Sequence, residues 1–244
     1  MQSGRLGACL MREPELVADC MAAIGAAVSV PATVKCRIGV DDQDAEASLF
    51  SLVDLCAKAG VTHFVVHARK AWLKGLSPKE NRDIPPLDYE LVYRLKRARP
   101  DLTIAINGGI ADLEAAEAHL AQVDGVMLGR AAYHNPGLLG AVDRRIFGED
   151  REVGAVEAVE LYKPYIAAQL ASGVHLAAMT RHMLGLFHGM PGARGWRRIL
   201  TVEGVKAGAG LEVVDAALAA VTGAAALRAQ DERAAGSLEA GEAA

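Results

Sequence analysis

The stretch TIAINGGIADLEAAEAHLAQVDGVMLGR, residues 103–130, contains two similar units in succession. Each has a short apolar run that ends at glycine, first at Asn107-Gly108-Gly109 and then at Gly129-Arg130. The Ala-, Glu- and Leu-rich segment between them predicts strand, loop, helix, strand, loop. Glycine lets the backbone approach a ligand, and the N–H groups that open a helix suit an anion. One such loop is more often only a tight turn, but two at corresponding positions predict a phosphate site.

The same alternation extends toward the N-terminus. Strands are predicted at 32–38 and 62–68, and helices at 14–27, after the acidic run 41–44, and at 89–98. Residues 69–86 form a long irregular segment, which in compact domains is usually functional. The pattern predicts an α/β fold of four βα units, half the eight of a closed (β/α)₈ TIM barrel. Residues 1–134 are therefore assigned to a partial barrel.

No strand signal follows residue 135. Helices are predicted at 140–147, 156–171, 176–188, 196–207 and 212–221. Residues 135–222 are therefore predicted to form a separate helical domain. Residues 223–244 are rich in Ala, Glu and Gly without a core pattern, which predicts a frayed helix or a disordered tail.

Composition limits the class of protein. The chain has 244 residues, 52% of them hydrophobic, and a net charge of −4, so any nucleic-acid surface must be a local patch. The four cysteines show neither a C-x-x-C pair nor a metal-like spacing with His, which predicts small buried hydrophobes in a reducing compartment and no metal site. No signal peptide or membrane-spanning run is recognised, so we expect a cytoplasmic protein with no membrane partner.

Two strand residues are candidates for a ligand site. Lys35 lies in an apolar strand near its carboxyl end, where barrel active sites lie, and a buried lysine needs a partner. The alternative is a lysine whose stem packs while its ammonium reaches solvent. His67 takes the corresponding position in the next strand. A single strand histidine is more often a hydrogen-bonded core residue, but its predicted register with Lys35 makes it a site candidate.

Two basic clusters each surround a tryptophan. The loop 69–86 carries five basic and two acidic residues around Trp72. The helical domain has a second cluster around Trp196, in which Arg194, Arg197 and Arg198 share one face if the helix includes Arg194. A charge run is usually a solvated surface. Two basic patches in an acidic protein nevertheless favour a large polyanion such as RNA.

Six segments of this sequence resemble one family. They are RLGACLM at 5–11, VKCRIG at 34–39, HARKAWLKGLSPKENRDIPPLDY at 67–89, INGGI at 106–110, DGVMLGR at 124–130 and TRHMLGLFHGMPGARGWRR at 180–198. Together they are similar to tRNA-dihydrouridine synthases of the A type, over residues 2–218. The block at 67–89 is highly specific, whereas INGGI and the Gly-Arg pair alone fit many flavin barrels.

The resemblance implies an FMN enzyme that reduces a uridine at position 20 or 20a of the tRNA D-loop with electrons from NADPH. It implies that Lys35 and His67 contact the flavin. It implies that the FMN phosphate is held by Asn107, Gly108, Gly109, Gly129 and Arg130. The uridine must leave the tRNA fold to stack on the flavin. The residues expected at tRNA phosphates are Arg69, Lys70, Lys79, Arg82, Arg194 and Arg197.

The resemblance also implies elements that are not found from Met1 onward. The family has four further βα units and a Gly-Cys-Pro-Ser loop whose cysteine protonates uracil C5. We expect that general acid to lie upstream of Met1, so no catalytic residue is assigned here, and Cys9 is not its replacement. Four parallel strands alone would leave two unpaired edges, which predicts poor folding or self-association. The alternative is a misassigned start site.

Two other functions remain open at this point. One is a tRNA-binding remnant without catalysis, which predicts salt-sensitive tRNA affinity and no flavin. The other is an FMN barrel that acts on a free pyrimidine. The two basic patches and the helical domain argue against the second.

Overall fold

The computed structural model describes the backbone of residues 7–242 and the side chains of residues 7–226. The chain divides after Gly129 into two compact units, each described by itself below. This division falls shortly before the domain boundary that the sequence predicts at residue 135.

The first unit is built on a parallel sheet of four strands in the order β1-β2-β3-β4. The strands are β1 Val34–Arg37, β2 His63–His67, β3 Thr103–Asn107 and β4 Gly125–Met127. Helices α2 Ala45–Lys58, α3 Tyr89–Ala98 and α4 Leu113–Leu120 connect them, and a 3₁₀ turn, Gly7–Arg12, and helix α1, Pro14–Ala27, precede them. The predicted α/β alternation with four parallel strands is confirmed.

Local side chains explain where the connecting helices begin. Asp44, Asp88 and Asp112 each precede a helix and accept a hydrogen bond from the backbone N–H three residues later, at 2.8 to 2.9 Å. These are N-caps that satisfy a donor left free at a helix start. Pro14 opens α1, where its missing N–H costs nothing.

The core of the first unit lies on one face of the sheet. Alternate strand residues such as Cys36, Val66 and Ile106 are buried in one cluster with residues of α2 and α3. Because side chains alternate across a strand, Lys35, His67 and Asn107 lie on the other face, along with Arg37. The sheet thus presents a polar face opposite its helix-covered core.

The prediction that the cysteines are small buried hydrophobic residues is confirmed only in part. Cys36 and Cys56 are buried, and all four are free thiols. Cys9 is half-buried and Cys20 is exposed on α1, so the prediction of a buried Cys20 is wrong. The reason is that only Ala18 of α1 is buried, which leaves most of that helix outside the core.

The second unit contains helices and no strand among its described residues. They are α5 Arg130–His134, α6 Val142–Phe147, α7 Ala155–Ala171, α8 Leu176–Thr180, α9 Ala193–Val202 and α10 Leu211–Glu242, with a 3₁₀ turn at Pro136–Ala141. Its core includes Trp196, Phe187 and Ile166, each at 0% exposure. Within the described part of the chain, no helix combines the length and the apolar character needed to cross a bilayer.

Three predicted helices of this unit differ from the structure, and the one predicted at 196–207 spans Ala193–Val202. The helix predicted at 176–188 ends at Thr180, and a series of turns follows in which the N–H groups of Met183, Leu186 and His188 each bond the carbonyl three residues earlier. A Cβ at Gly185 would lie 2.0 Å from the His134 carbonyl oxygen, so this close backbone contact replaces the helix. The helix predicted to end at 221 instead continues to Glu242, through most of the predicted tail, whose last two residues lie outside the described part.

Candidate functional site

A row of polar side chains crosses the carboxyl edge of the sheet. Arg37 pairs with His67, His67 with Asn107, and Asn107 with Met127. Lys35 pairs with Val65, two residues before the Arg37–His67 pair along both strands. The predicted register of Lys35 with His67 is therefore wrong by two residues, although the alternation of side chains puts both on the same face.

Lys35 is a cation without a carboxylate partner. Its side chain is exposed and forms no hydrogen bond or ion pair with any described residue. Its pKa is lowered, mainly because partial burial disfavours the charged ammonium and further because Arg37 is close. An unpaired ammonium on the polar face leaves charge available for an anionic or carbonyl ligand.

Arg37 is a further candidate site residue, which was not singled out from the sequence. Its guanidinium Nη1 donates to the carbonyl oxygens of Lys70 at 3.0 Å and of Asn81 at 2.7 Å. Its pKa is lowered, first by burial and then by the cations Arg69 and Arg82. Arg69 and Arg82 are therefore near enough to Arg37 for their charges to act on it. The spacing in Val-Lys-Cys-Arg, with cations two residues apart in a strand, was the available signal.

His67 packs against the loop that follows β3. It is 7% exposed. A Cβ at Gly108, whose φ is +113°, would lie 2.6 Å from the His67 ring carbon Cδ2. Any side chain at Gly108 would displace the imidazole, so this glycine is required both by its φ and by the contact. The loop and His67 therefore fix each other's position.

Further hydrogen bonds hold the loop that follows β3. The Asn107 amide Nδ2 donates to the Met127 carbonyl at 2.6 Å, and the Tyr89 hydroxyl donates to the Gly108 carbonyl at 2.7 Å. The His119 ring lies edge-on to Tyr89, and its Nδ1 is 2.6 Å from the Tyr93 hydroxyl oxygen. Burial lowers the pKa of His119, which favours the neutral imidazole. The loop thus rests on a polar network of α3 and α4.

The second predicted glycine loop is more open. A Cβ at Gly129 would meet no atom within 4 Å, so space lies beside this residue. Arg130 follows it in the chain, is exposed, and begins α5 in the second unit.

The loop 69–86 is folded although it is largely irregular. Lys70 Nζ donates to the Asp41 carbonyl at 3.0 Å, and the Arg69 guanidinium donates to the Pro85 carbonyl. Arg69 Nε is buried and has no hydrogen-bond partner. Lys79 and Arg82 are exposed, at the short 3₁₀ turn Glu80–Arg82. Of the six basic residues predicted at tRNA, Arg69 and Lys70 thus have their charged groups bonded to backbone carbonyls of the first unit, Arg69 within the loop and Lys70 outside it.

The second unit has a basic cavity of about 450 Å³. His188, Arg194 and Arg197 line it, and α9 includes Arg194, as the shared-face prediction required. No described residue forms an ion pair or hydrogen bond with the side chains of these two arginines. The predicted place of Trp196 in a nucleic-acid surface is wrong, because Trp196 is fully buried and donates from Nε1 to the Met183 carbonyl at 3.1 Å.

Among the described residues, no group of three or more His, Cys, Asp or Glu side chains is arranged to hold a metal ion. The glycine loop after β3 and the cations Lys35 and Arg37 of β1 lie at the carboxyl edge of a parallel α/β sheet. Comparison with known proteins makes the class specific. The family model "Dihydrouridine synthase (Dus)" matches residues 1–222, and the chain belongs to this family. The resemblance found in the sequence is confirmed.

Individual relatives agree with this assignment. A Vibrio cholerae protein named tRNA-dihydrouridine(20/20a) synthase is 56% identical over 223 residues, which cover 91% of this chain and 68% of that protein. Relatives of the same name from Salmonella typhimurium and Escherichia coli K12 are 56% and 55% identical over 220 residues. Those matches cover 89% of this chain and 66% and 64% of the relatives. The chain thus spans about two thirds of the length of these proteins.

Proposed function

We propose that this chain takes part in the reduction of uridine to dihydrouridine at positions 20 and 20a of tRNA, with FMN as cofactor and NADPH as electron donor. One observation carries the proposal: Lys35, His67 and Asn107 share the polar face of the sheet at its carboxyl edge. The names of relatives at 55–56% identity support the choice of substrate. A cytoplasmic location, where tRNA is found, is part of the same proposal.

The residues at the strand ends fit a flavin phosphate ester. Lys35 offers an unpaired cation, the Arg69 Nε–H is a buried donor without an acceptor, and Gly129 has open space beside it. We infer that the cofactor is held by Lys35, His67, Asn107, Gly108, Gly109, Gly129 and Arg130. Bound FMN, reduced by NADPH, would supply the hydride for uracil C6, and the proton for C5 would come from a general acid that is not assigned among these residues.

The side chains of this chain would bind the cofactor and fix its orientation. The Lys35 ammonium would pair with negative charge or with a polarised carbonyl, and its lowered pKa reduces the cost of desolvating it. His67 is held by Gly108, and Asn107 is anchored to β4. Neither buried cysteine suits proton transfer on this face. Cys36 lies on the core face, and burial raises its pKa to about 12.

We further propose that the four-stranded sheet is part of a (β/α)₈ barrel and that the helical unit binds tRNA. The basic cavity beside α9 supports this, since Arg194 and Arg197 carry unneutralised charge. Elsewhere arginines are commonly paired, as Arg94 is with Glu46 at 2.9 Å. On the first unit, Lys74, Lys79 and Arg82 are the exposed basic residues of the loop 69–86. Phosphate contacts by such groups make binding salt-dependent.

Self-association through the sheet is a separate part of the proposal. Within the described chain, β1 pairs only with β2 and β4 only with β3. A cavity of about 450 Å³, lined mainly by apolar residues such as Leu10, Met11 and Val17, opens beside β1. Light scattering after size exclusion should therefore give a mass above 25.6 kDa that depends on concentration. A monodisperse monomer would exclude this part alone.

The test is to incubate the chain with FMN, NADPH and an unmodified tRNA transcript, and to map dihydrouridine by mass spectrometry. We expect flavin uptake and tRNA binding by this chain, and the modification at positions 20 and 20a when a general acid for uracil C5 is also supplied. Salt-sensitive tRNA binding without flavin uptake or product would instead identify a binding remnant. Reduction of free uridine but not of tRNA would identify a free-pyrimidine enzyme.

A further inference from the structure

Trp72 and Trp196 are the two tryptophans of the chain, and their settings are opposite. Trp196 is fully buried in the core of the second unit. Trp72 lies in the basic loop of the first unit with 38% of its surface exposed. Leaving a large aromatic ring in water forgoes the free energy of its burial. An exposed tryptophan at a fixed position therefore needs an explanation.

Asn81 fixes the backbone of Trp72 from both sides. The Trp72 N–H donates to Asn81 Oδ1 at 2.7 Å, and Asn81 Nδ2 donates to the Trp72 carbonyl at 2.8 Å. The Asn81 carbonyl in turn accepts from Arg37 on β1 at 2.7 Å. The chain of bonds runs from the sheet through Asn81 to Trp72. The indole is thus carried by a braced segment rather than by a loose loop.

The charges around Trp72 select the kind of ligand. The loop carries five basic and two acidic residues, in a chain whose net charge is −4. One of the two acids is bonded locally, because the Glu80 carboxylate accepts from the Ser77 N–H at 2.7 Å. Lys74 and Lys79 are exposed. An aromatic face among cations matches single-stranded nucleic acid, which offers a base to stack and phosphates to neutralise.

We propose that Trp72 is a stacking platform for an unpaired nucleobase of RNA, and that Asn81 is the residue that positions it. This rests on the proposed function, since it takes tRNA as the polyanion. It adds a contact of a different kind from phosphate binding. Stacking needs a base that is not paired, so it gives selectivity for loops or unpaired ends over duplex RNA.

The test uses Trp72→Ala, with Trp72→Phe as the matched variant that keeps an aromatic face. Dissociation constants are measured for a labelled tRNA transcript and for an RNA duplex with no unpaired bases. Loss of one stacked base weakens binding by a factor between about 5 and about 150. We expect a loss in this range for Trp72→Ala with tRNA, a loss below about threefold for Trp72→Phe, and no change with the duplex.

Tryptophan fluorescence gives a second readout that does not depend on affinity. Acrylamide should quench the fluorescence of Trp72 but not that of the buried Trp196. The Trp72→Phe variant fluoresces from Trp196 alone, so subtracting its spectrum from that of the wild type gives the Trp72 signal. We expect bound tRNA to protect Trp72 from acrylamide. In Asn81→Ala, which removes both bonds to Trp72, we expect weaker protection at saturating tRNA. A merely structural role for Asn81 would leave protection at saturation unchanged.

The outcomes separate the two proposals. Two results would overturn the stacking platform and leave the proposed function standing. One is that acrylamide still quenches Trp72 fully when tRNA is bound to the wild type. The other is that Trp72→Ala binds tRNA with unchanged affinity. Equal losses for tRNA and duplex also overturn it, because they indicate a contact with phosphate or with the fold. Absence of any tRNA complex overturns the proposed function and the platform together.

Discussion

At the scale of single residues, β1 carries two cations with different neighbours. Arg37 donates to two carbonyls of the loop 69–86 and so holds it against the sheet. Lys35 has no such bonds and keeps an exposed ammonium. We therefore expect substitutions at Arg37 to change the loop and substitutions at Lys35 to change ligand binding.

Lys35→Met should weaken FMN binding by a factor between about 10 and about 100, the loss typical of a charged hydrogen bond. A pH dependence should accompany it. Because the pKa of Lys35 is lowered, the wild-type affinity should fall as the pH rises through a range below the ordinary lysine value of 10.5. Flavin fluorescence titration measures both effects.

Lys58→Met is the control for this change. Lys58 is exposed in the last turn of α2, so its substitution makes the same change in net charge away from the strand ends. Equal losses of FMN affinity in the two variants would show that overall charge, and not the position of Lys35, governs binding.

His119 should make the first unit sensitive to acid. Burial lowers its pKa in the folded state, so the unfolded chain takes up a proton first as the pH falls. Its contribution to the free energy of unfolding is complete above the unfolded pKa of about 6.5 and is lost as the pH falls through the lower folded pKa.

Urea unfolding of wild type and His119→Gln at about pH 7.5 and about pH 5.5 tests this, because glutamine does not titrate in that range. We expect the stability of the wild type to fall more between the two pH values than that of the variant. Parallel losses in the two proteins would mean that His119 is protonated as readily in the fold as in the unfolded chain.

At this scale, the sheet face of a residue was easier to predict from the sequence than whether its side chain is buried. The shared sheet face of Lys35, His67 and Asn107 was predictable because their strands could be recognised from short apolar runs. Trp72 and Trp196 looked alike, since each stands among basic residues. Which of them is buried depends on partners far along the chain, such as Val214 and Ala217 of α10 for Trp196, and a local pattern does not contain that information.

At the scale of elements, the contact of α9 with α10 depends on Gly192. A Cβ there would lie 2.4 Å from the Ala220 carbonyl oxygen, and its φ is +81°. We expect Gly192→Ala to lower the free energy of unfolding by about 2 to 5 kcal/mol, the sum of left-handed backbone strain and overpacking. Chemical denaturation followed by circular dichroism measures the loss.

Gly148→Ala separates these two causes. Gly148 has a similar φ of +70°, but its Cβ would meet nothing within 4 Å. Only the backbone strain of about 1 to 2 kcal/mol should remain there. If the two variants lose the same stability, the steric contact with α10 contributes nothing.

Element boundaries were predictable where their cause is local. Pro14 and the capping acids Asp44 and Asp88 lie next to the helices they begin, and α1 and α3 have the predicted limits. The break after Thr180 was not predictable. It depends on Gly185 meeting the His134 carbonyl and on Trp196 binding the Met183 carbonyl, both far away in sequence.

At the scale of the whole molecule, each unit has a hydrophobic core of its own. Two separate cores predict two unfolding transitions rather than one. Leu95→Ala and Ile166→Ala truncate fully buried side chains, one in each core, and each should cost about 2 to 5 kcal/mol. Calorimetry should show each variant shifting a different transition. A single transition that both variants lower equally would contradict this.

The sequence predicted that the chain has two parts, because the strand pattern stops and a helical pattern begins. It could not predict the division after Gly129 to the residue, since α5 is only five residues long and has no periodic pattern of its own. The four parallel strands were predictable because buried strands are continuous in apolar residues.

The Asn107-Gly108 step also bears on how the protein ages. In an unfolded chain, the backbone nitrogen of a glycine readily attacks the side-chain carbon of a preceding asparagine, and the succinimide that forms opens to aspartate or isoaspartate. Here the Asn107 amide is tethered to the Met127 carbonyl, and the Tyr89 hydroxyl holds the carbonyl of Gly108. We expect the native fold to delay this deamidation. Deamidation would accumulate with the time that molecules spend unfolded during storage and would place a negative charge beside Gly108. An old preparation would then lose the proposed flavin uptake before it lost its secondary structure.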